Sequence, residues 1–255
     1  SSNTDGTITS SVSANPDAGF SIVKYAGEGY PSNSSATTEV GHGLDYAPEI
    51  IIIKKMNGGT GNGAWVVGTE HAGAGWDGGM YLDSTGAYYN TTNYFWDSPP
   101  TNTVFDLKSD WYVNESSSDY IAYCFHSVDG YSKVGSYTGN GSTDGTFVYT
   151  GFKPAYVMVK NATGGDYGSY YSWKILDSKR HYNGQNGPSL YADRSYAEGL
   201  RGNGGTDSYV ERHDFLSNGF KLGATSSYEV ESNDSGQTYI YIAFAEHPFK
   251  YSTAR

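Results

Sequence analysis

The chain has 255 residues and a formal net charge of −11, and it contains 34 glycines and 25 tyrosines. It carries no basic stripe and no apolar run of about 18 residues, so the sequence excludes duplex nucleic acid as a partner and insertion into a membrane. Abundant Gly and Tyr favour strands joined by tight turns, and we therefore expect an all-β protein.

The predicted elements follow a polar segment at the start of the chain. Residues 1–18 are rich in Ser, Thr and Asn, which is typical of a linker or arm. Residues 19–25 alternate between apolar and polar side chains and predict a strand. Pro48 then introduces the β-branched run Ile50 to Ile53, which predicts a strand that is covered on both faces.

A Gly-rich hairpin and a long loop complete this first set of elements. The hairpin at residues 57–63 leads into a strand that begins with Trp65, which we expect in the core. The loop after it is rich in Tyr, Trp, Gly and Asn. It ends at the apolar strand Tyr120 to Phe125.

The same elements return in the same order in the second half of the chain, at offsets between 106 and 119. Insertions in loops change the offset between matching elements while the strands themselves stay the same, so the sequence predicts a repeated unit. We expect two tandem antiparallel β-sandwiches, jelly-roll or lectin-like, at residues 19–129 and 130–255, after the arm at residues 1–18. The matched segments are Tyr25–Gly29 with Tyr137–Gly141, Pro48 with Pro154, Trp65 with Trp173, and Tyr120–Phe125 with Tyr239–Phe244.

Cys124 is the single cysteine of the chain, so no internal disulfide forms. This fits folding in a reducing bacterial cytoplasm followed by release. His126 shares a strand face with it, but a Cys–His nucleophile also needs a third, orienting group. The second repeat has Ala243 at the position of Cys124, so we predict that the cysteine packs in the core.

Three stretches of the sequence resemble a known domain. They are YIAYCFHSVDGYSKVGSYTGNG at residues 120–141, DGTFVYTGFKPAYVMVKN at 144–161, and YIYIAFAEHPFKYSTAR at 239–255. The domain occurs, often in tandem, in structural and tail-fibre proteins of marine bacteriophages, including cyanophages. The resemblance implies a lectin-like sandwich on the virion surface, made in the host cytoplasm and in contact with other virion proteins. It supplies no catalytic residue, and by analogy with fibres we expect a homo-oligomer, a trimer.

The residue pattern gives little support for a cofactor or for catalysis. Several predicted turns carry oxygen donors, which leaves Ca²⁺ open as a cofactor: Asp83, Asp97, Asp193 and residues 233–236. These are also ordinary turn residues, and no EF-hand spacing is present. A glycosidase needs two carboxylates across one groove. Asp83 and Asp193 are the acids at matching positions, one in each repeat, so we do not expect an enzyme.

Two long loops at equivalent places in the repeats combine aromatic residues with Asn, Asp and Gly. Sugars bind such surfaces because the ring faces stack on CH groups and the polar groups bond to hydroxyls. The alternative is that these aromatics pack against their own unit or against a neighbouring subunit. The candidate glycan- or receptor-binding residues are Trp76, Asp77, Tyr88, Tyr89, Trp96 and Asp97 in the first loop, and His181, Tyr182, Asp193 and Arg194 in the second.

The sequence thus predicts a non-enzymatic tail-fibre or head-fibre module that binds a glycan or receptor on the host surface. A second hypothesis is a capsid decoration or structural fibre protein whose loops make only protein–protein contacts. A third, with the weakest support, is a polysaccharide-degrading spike that uses Asp83 and Asp193.

Overall fold

The computed structural model describes residues 1–29, 38–57, 63–90, 94–163, 171–180, 186–187, 189–195, 211–223 and 232–247. These residues form an all-β protein, as predicted, in which every pair of neighbouring strands is antiparallel. Helical segments are short 3₁₀ turns such as Pro16–Ala18 and Gly75–Asp77. Within the described ranges, no helix is long and apolar enough to cross a membrane.

The first of two compact units comprises Ser1–Leu82 and Tyr88–Ser127. It contains a seven-stranded sheet in the order β1-β2-β3-β9-β5-β6-β7 and a two-stranded sheet, β4-β8. The strands are β1 Ser2–Asn3, β2 Ser10–Asn15, β3 Phe20–Ala26, β4 Thr38–Gly41, β5 Ile50–Asn57, β6 Trp65–Thr69, β7 Met80–Tyr81, β8 Val104–Leu107 and β9 Asp119–Phe125.

The second unit comprises Asp83–Ala87 and Val128–Arg255. It contains a five-stranded sheet in the order β10-β18-β12-β13-β15 and a four-stranded sheet in the order β11-β17-β16-β14. The strands are β10 Ser132–Thr138, β11 Phe147–Tyr149, β12 Pro154–Asn161, β13 Lys174–Asp177, β14 Asn186–Gly187, β15 Leu190–Tyr191, β16 Glu211–Leu216, β17 Gly219–Gly223 and β18 Thr238–Ala245.

Each unit has one hydrophobic core that takes side chains from both of its sheets. In the first, Tyr25 and Ile53 of the large sheet share a core with Phe105 of the small sheet. In the second, Tyr137 of the five-stranded sheet contacts Phe220 of the four-stranded sheet edge to face, with ring centroids 6.2 Å apart. Burial of these apolar faces is the main favourable term in folding each unit.

The central strands carry the apolar runs that the sequence marks. Ile50 to Ile53 are all buried, and their strand, β5, lies inside the sheet between β6 and β9. Its counterpart β12 begins at Pro154 and lies between β13 and β18. Trp173 is fully buried, as predicted, whereas Trp65 is only half-buried and stacks on Tyr123.

The two units repeat one buried arrangement, which we name the tyrosine–asparagine clasp. It consists of Tyr25, Tyr120 and Asn114 in the first unit and of Tyr137, Tyr239 and Asn233 in the second. In each clasp the two rings stack, with centroids 5.2 Å apart in the first unit and 5.1 Å in the second. The matching residues lie at the offsets seen in the sequence. The residues that recur in the sequence therefore make the same contacts in both units.

Hydrogen bonds satisfy the polar groups of each clasp. In the first unit the Tyr25 hydroxyl donates to the Val113 carbonyl at 2.8 Å, and the Tyr120 hydroxyl accepts from the Glu115 N–H at 2.8 Å. The Asn114 side-chain oxygen accepts from the Glu28 N–H at 3.0 Å. The second unit makes the corresponding bonds, since Tyr137 donates to Ser232, Tyr239 accepts from Asp234, and Asn233 accepts from Asn140.

Glycines beside each clasp allow two backbones to meet. A Cβ atom at Gly27 would lie 2.3 Å from the Glu115 carbonyl oxygen, and one at Gly139 would lie 2.2 Å from the Asp234 carbonyl oxygen. Both distances are far inside van der Waals contact, so only glycine fits. This explains why the Tyr-x-Gly sequence occurs in both repeats.

The expected arm at residues 1–18 is instead part of the first unit. Strand β2 pairs with β3 from Ser11 opposite Lys24 to Asn15 opposite Phe20. Val12 is buried in the core, so an alternating strand lies within a composition that resembles a linker. In sequence the second unit takes over at Val128, close to the predicted boundary at residue 130.

Candidate functional site

The first unit carries a cluster of aromatic rings, which we name the aromatic cluster. Each ring lies within about 6 Å of another, the spacing of interacting aromatic pairs. Tyr81 is central, with its ring centroid 6.0 Å from Tyr89, 6.0 Å from Phe95 and 5.6 Å from Tyr112. The members are Tyr81, Tyr89, Tyr94, Phe95, Trp111 and Tyr112.

The cluster combines a buried anchor with exposed rings. Phe95 is buried with only 3% of its surface exposed, whereas Tyr89 is 52% exposed and Tyr94 is 53% exposed. Tyr81 and Tyr112 are half-buried and pack against the hydrophobic core of the unit. The exposed rings are therefore attached to rings that the core holds in place.

Close backbone contacts fix the loop that presents Tyr89. Gly79 and Tyr89 form a two-way backbone bridge, with N···O distances of 3.0 and 2.7 Å. A Cβ at Gly78 would lie 1.8 Å from the Tyr89 carbonyl oxygen. The Tyr88 hydroxyl donates to the Gly75 carbonyl at 2.8 Å, so Tyr88 is a structural residue of the loop. Close packing therefore requires glycine in this stretch. In the sequence alone, such a glycine looks the same as an ordinary loop glycine.

A charged pair lies next to the anchor ring. Lys108 donates its backbone N–H to the Phe95 carbonyl at 3.0 Å, and its ammonium group pairs with the Asp97 carboxylate. Both side chains are partly exposed. Asp97, a predicted site residue, therefore supplies polar groups beside the aromatic rings, while Asp77 is an exposed residue of a 3₁₀ turn.

The two tryptophans predicted to bind a ligand are core residues instead. Trp76 is 6% exposed and Trp96 is 3% exposed, and their rings meet edge to face at 5.0 Å. Both rings cover Gly68, where a Cβ would lie 2.3 Å from Trp96 and 2.7 Å from Trp76. The missing side chain of Gly68 makes room for them, so neither ring offers a face to a ligand.

The second predicted loop is described only in part. His181 and Tyr182 lie outside the described residues. Asp193 and Arg194 are half-buried, and Arg194 donates from Nε to the Ser172 hydroxyl at 3.3 Å. Burial raises the pKa of Asp193, although hydrogen bonds and nearby cations oppose this.

These two residues lie beside a buried lysine that the sequence did not single out. Lys160 is fully buried, and its ammonium group donates to the carbonyl oxygens of Thr85, at 2.8 Å, and Tyr171. Burial lowers the pKa of Lys160 to about 8, while the charge of Asp193 acts in the opposite direction. Asp193 and Arg194 thus belong to an internal polar network rather than to an exposed binding face.

The remaining candidates from the sequence are the thiol of Cys124 and the possible metal ligands. Cys124 is fully buried, as predicted, and burial raises the pKa of its thiol to about 12, which makes it unreactive near neutral pH. Among the predicted calcium ligands, Asp83, Asp97, Asp193 and Asp234 do not belong to any group of three His, Cys, Asp or Glu side chains close enough to share an ion within the described residues. There, the group of potential ligand atoms close enough to share a metal ion is Glu49, Glu70 and His71.

Comparison with known proteins places the chain in a family. Neither the curated proteins nor the solved structures contain a match to it. A family model described as "Domain of unknown function (DUF7483)" matches residues 1–248, which include the whole first unit with its aromatic cluster and the second unit up to residue 248. The chain therefore belongs to the DUF7483 family.

Proposed function

We propose that this protein is a non-enzymatic binding module of a virion, a tail-fibre or head-fibre component that attaches to a glycan or receptor on the host surface. The observation that carries the proposal is the aromatic cluster. In it Tyr89 and Tyr94 are more than half exposed, and each contacts a ring that packs in or against the core. The virion location rests on the resemblance of the sequence to phage structural proteins.

The physical argument for a sugar ligand rests on the chemistry of the exposed rings. A pyranose ring presents CH groups on one face, which pack on an aromatic ring, and hydroxyls at its edge, which need polar partners. Tyr89 and Tyr94 offer the rings, and the Asp97–Lys108 pair offers hydrogen-bonding groups next to Phe95. Rings held by the core lose little conformational freedom on binding, which favours affinity.

The net charge narrows the ligand class. A chain with a formal net charge of −11 repels anionic polymers at low ionic strength. We infer that a neutral glycan is favoured over an acidic one.

We also infer that each unit is a two-layer sandwich of the jelly-roll or lectin-like kind. Its support is the single core that takes side chains from both sheets of a unit. Sandwich domains commonly carry binding residues in the loops at one end, where loop sequence varies without changing the frame. Assembly of the module into a homo-oligomer, with a trimer as the analogue in fibres, would raise weak glycan binding by avidity.

A second candidate function is structural, as capsid decoration or as a fibre spacer. A specific observation favours it, since Phe147 and Tyr149 are 42% and 65% exposed on β11. Among the described strands, β11 lies at the end of its sheet and pairs only with β17. An exposed strand with outward aromatic side chains is a surface that suits contact with another protein.

Glycan-array and host-cell binding by the purified full chain test the first function. The variant combines Tyr89→Ala with Tyr94→Ala, and Tyr149→Ala, which removes a ring that is 65% exposed in the second unit, is the control. We expect saturable binding that the double variant weakens by about fivefold or more, since two stacking contacts contribute about 1–3 kcal/mol. The control should bind like the unmodified chain.

The opposite result would favour the structural function. If no glycan or cell is bound, or if the double variant binds unchanged, the aromatic cluster is not a glycan site. Sedimentation of the same variants then shows whether Tyr89 and Tyr94, or Tyr149, support self-association instead.

A further inference from the structure

Three potential metal ligands meet at one end of the β5–β6 hairpin in the first unit. Glu49 directly precedes β5, and Glu70 and His71 directly follow β6. Ile50 pairs with Thr69 in this hairpin, so the residues just outside the pair lie side by side. The well-paired sheet therefore brings together two carboxylates and an imidazole.

The distances in this group fit shared ligation better than direct hydrogen bonding. His71 Nε2 lies 3.7 Å from Glu49 Oε1 and 3.6 Å from Glu70 Oε1, beyond the usual range of N–H···O hydrogen bonds. Two ligands of one tetrahedral zinc ion, each at about 2.0–2.1 Å, are about 3.3 Å apart. The donor atoms of all three residues lie within 4.8 Å of one another, so a small movement of side chains closes the site.

The imidazole nitrogen that faces the carboxylates lacks another partner. His71 Nε2 is shielded from solvent and makes no hydrogen bond within the described structure. A shielded polar atom without a hydrogen bond is unfavourable, and a bound cation between the three groups removes that penalty.

Surrounding hydrogen bonds hold two of the three ligands in place. The Ser127 N–H donates to Glu49 Oε2, which leaves Oε1 directed to His71. Thr69 links the two sides of the site, because its hydroxyl donates to the Glu49 carbonyl at 2.8 Å and accepts from the His71 N–H at 3.3 Å. Such outer contacts orient ligands in known metal sites.

We propose that Glu49, Glu70 and His71 bind one divalent transition-metal ion of the zinc class. An imidazole with carboxylates suits Zn²⁺ and its neighbours, whereas Ca²⁺ prefers oxygen ligands alone. Glu70 is 55% exposed and the other two side chains are about one-fifth exposed, so the ion has an entry path and keeps a position for water. Its role is to tie the ends of β5 and β6 to the chain at Ser127.

The second unit supplies a natural comparison. Its hairpin β12–β13 has the same pairing, and the equivalents of Glu49, Glu70 and His71 are Ala155, Ser178 and Lys179. None of these three is a usual side-chain ligand of zinc-class ions, and the lysine ammonium repels a cation. The proposed site is thus a feature of the first repeat alone and is independent of the aromatic cluster.

Metal titration of the untagged, chelator-treated full chain tests the proposal. Calorimetry with Zn²⁺ and the visible absorption of added Co²⁺ measure the number and coordination of bound ions. The decisive variant imports the second unit's residues, Glu49→Ala, Glu70→Ser and His71→Lys together. His71→Ala alone removes the imidazole, and His247→Ala removes an exposed histidine as the matched control.

We expect the triple variant to bind one ion fewer per chain than the unmodified protein, and His71→Ala to bind at least about tenfold more weakly. The control should keep full binding. Tryptophan fluorescence and circular dichroism must show that each variant remains folded. Absence of Zn²⁺ and Co²⁺ binding, or equal stoichiometry in the triple variant, would overturn the proposal.

Discussion

Asp110 is a buried carboxyl whose ionisation opposes folding. It is 8% exposed, and burial raises its pKa from 3.8 to about 6, although Lys55 and the backbone N–H of Tyr112 act in the opposite direction. A carboxyl with a raised pKa binds its proton more tightly in the folded state than in the unfolded state. The folded state therefore loses stability as the pH rises from about 4 through about 6, and the full loss is present at pH 7.5.

The size of this effect follows from the two pKa values. A difference of about two pH units corresponds to about 3 kcal/mol of unfolding free energy. Asp110→Asn keeps the side-chain oxygen that accepts the Tyr112 N–H at 2.8 Å and removes the charge. We expect the variant to be more stable than the unmodified chain by about 1–3 kcal/mol at pH 7.5, with the difference vanishing near pH 4.

Denaturant unfolding followed by tryptophan fluorescence measures this difference in the correct unit. Trp65, Trp76, Trp96 and Trp111 belong to the first unit and Trp173 to the second, so the signal is dominated by the unit that contains Asp110. Asp45→Asn, which removes an exposed carboxyl of the same unit, controls for the change in net charge.

The reasoning fails on either of two results. One is an Asp110→Asn variant that is no more stable than the parent at pH 7.5. The other is a stability gain that stays constant between pH 4 and pH 7.5, since a gain from charge removal must follow the titration of the carboxyl.

Two substitutions and one labelling experiment further probe the first unit. Lys55 and Glu115 form a 2.6 Å ion pair whose side chains are only 6% and 5% exposed. Lys55→Met should therefore lower the free energy of unfolding by about 3–5 kcal/mol, as denaturant unfolding would measure, because it leaves the Glu115 charge buried and unpaired. An unchanged stability would contradict this. Trp96→Ala should cost about 3–5 kcal/mol in the same assay, because the ring fills the core above Gly68, and full stability would contradict its assignment to the core. Cys124 should resist iodoacetamide in the native state at pH 8 and react after denaturation, as mass spectrometry would show, and rapid native labelling would refute the inert buried thiol.

The sequence predicts the strands and the repeat because local pattern carries that information. The β-branched run from Ile50 to Ile53 becomes a strand buried on both faces. The Tyr25 and Tyr137 segments match because both tyrosines stack in a clasp and both adjacent glycines meet a carbonyl oxygen. A Cβ at Gly27 or Gly139 would collide with that carbonyl oxygen, so both repeats keep glycine at this position.

The candidate site was harder to predict, since exposure depends on contacts between distant segments. Trp76 and Trp96 lie in a segment with the composition of a sugar-binding loop, yet Gly68, on strand β6, leaves the space that buries them. Strand β2 has the composition of a linker and becomes a strand because β3 offers it an edge. Nothing in the sequence around Lys160 indicates that it is buried among backbone carbonyls.

The tyrosine–asparagine clasp has a consequence for how the protein can be produced. Asn114 and Asn233 each begin an Asn-x-Ser sequence, the acceptor signal for N-linked glycosylation in the eukaryotic secretory pathway. In the folded protein these side chains are 0% and 1% exposed, and Asn114 donates its amide to Thr38 while Asn233 donates to Asn140. An oligosaccharide attached to the nascent chain at either position would take the place of the hydrogen bond that the asparagine amide donates, and it would prevent the unit from folding around the clasp. Secretion from yeast, insect or mammalian cells should therefore yield misfolded material, whereas a bacterial cytoplasm, which lacks this modification and keeps Cys124 reduced, suits the chain.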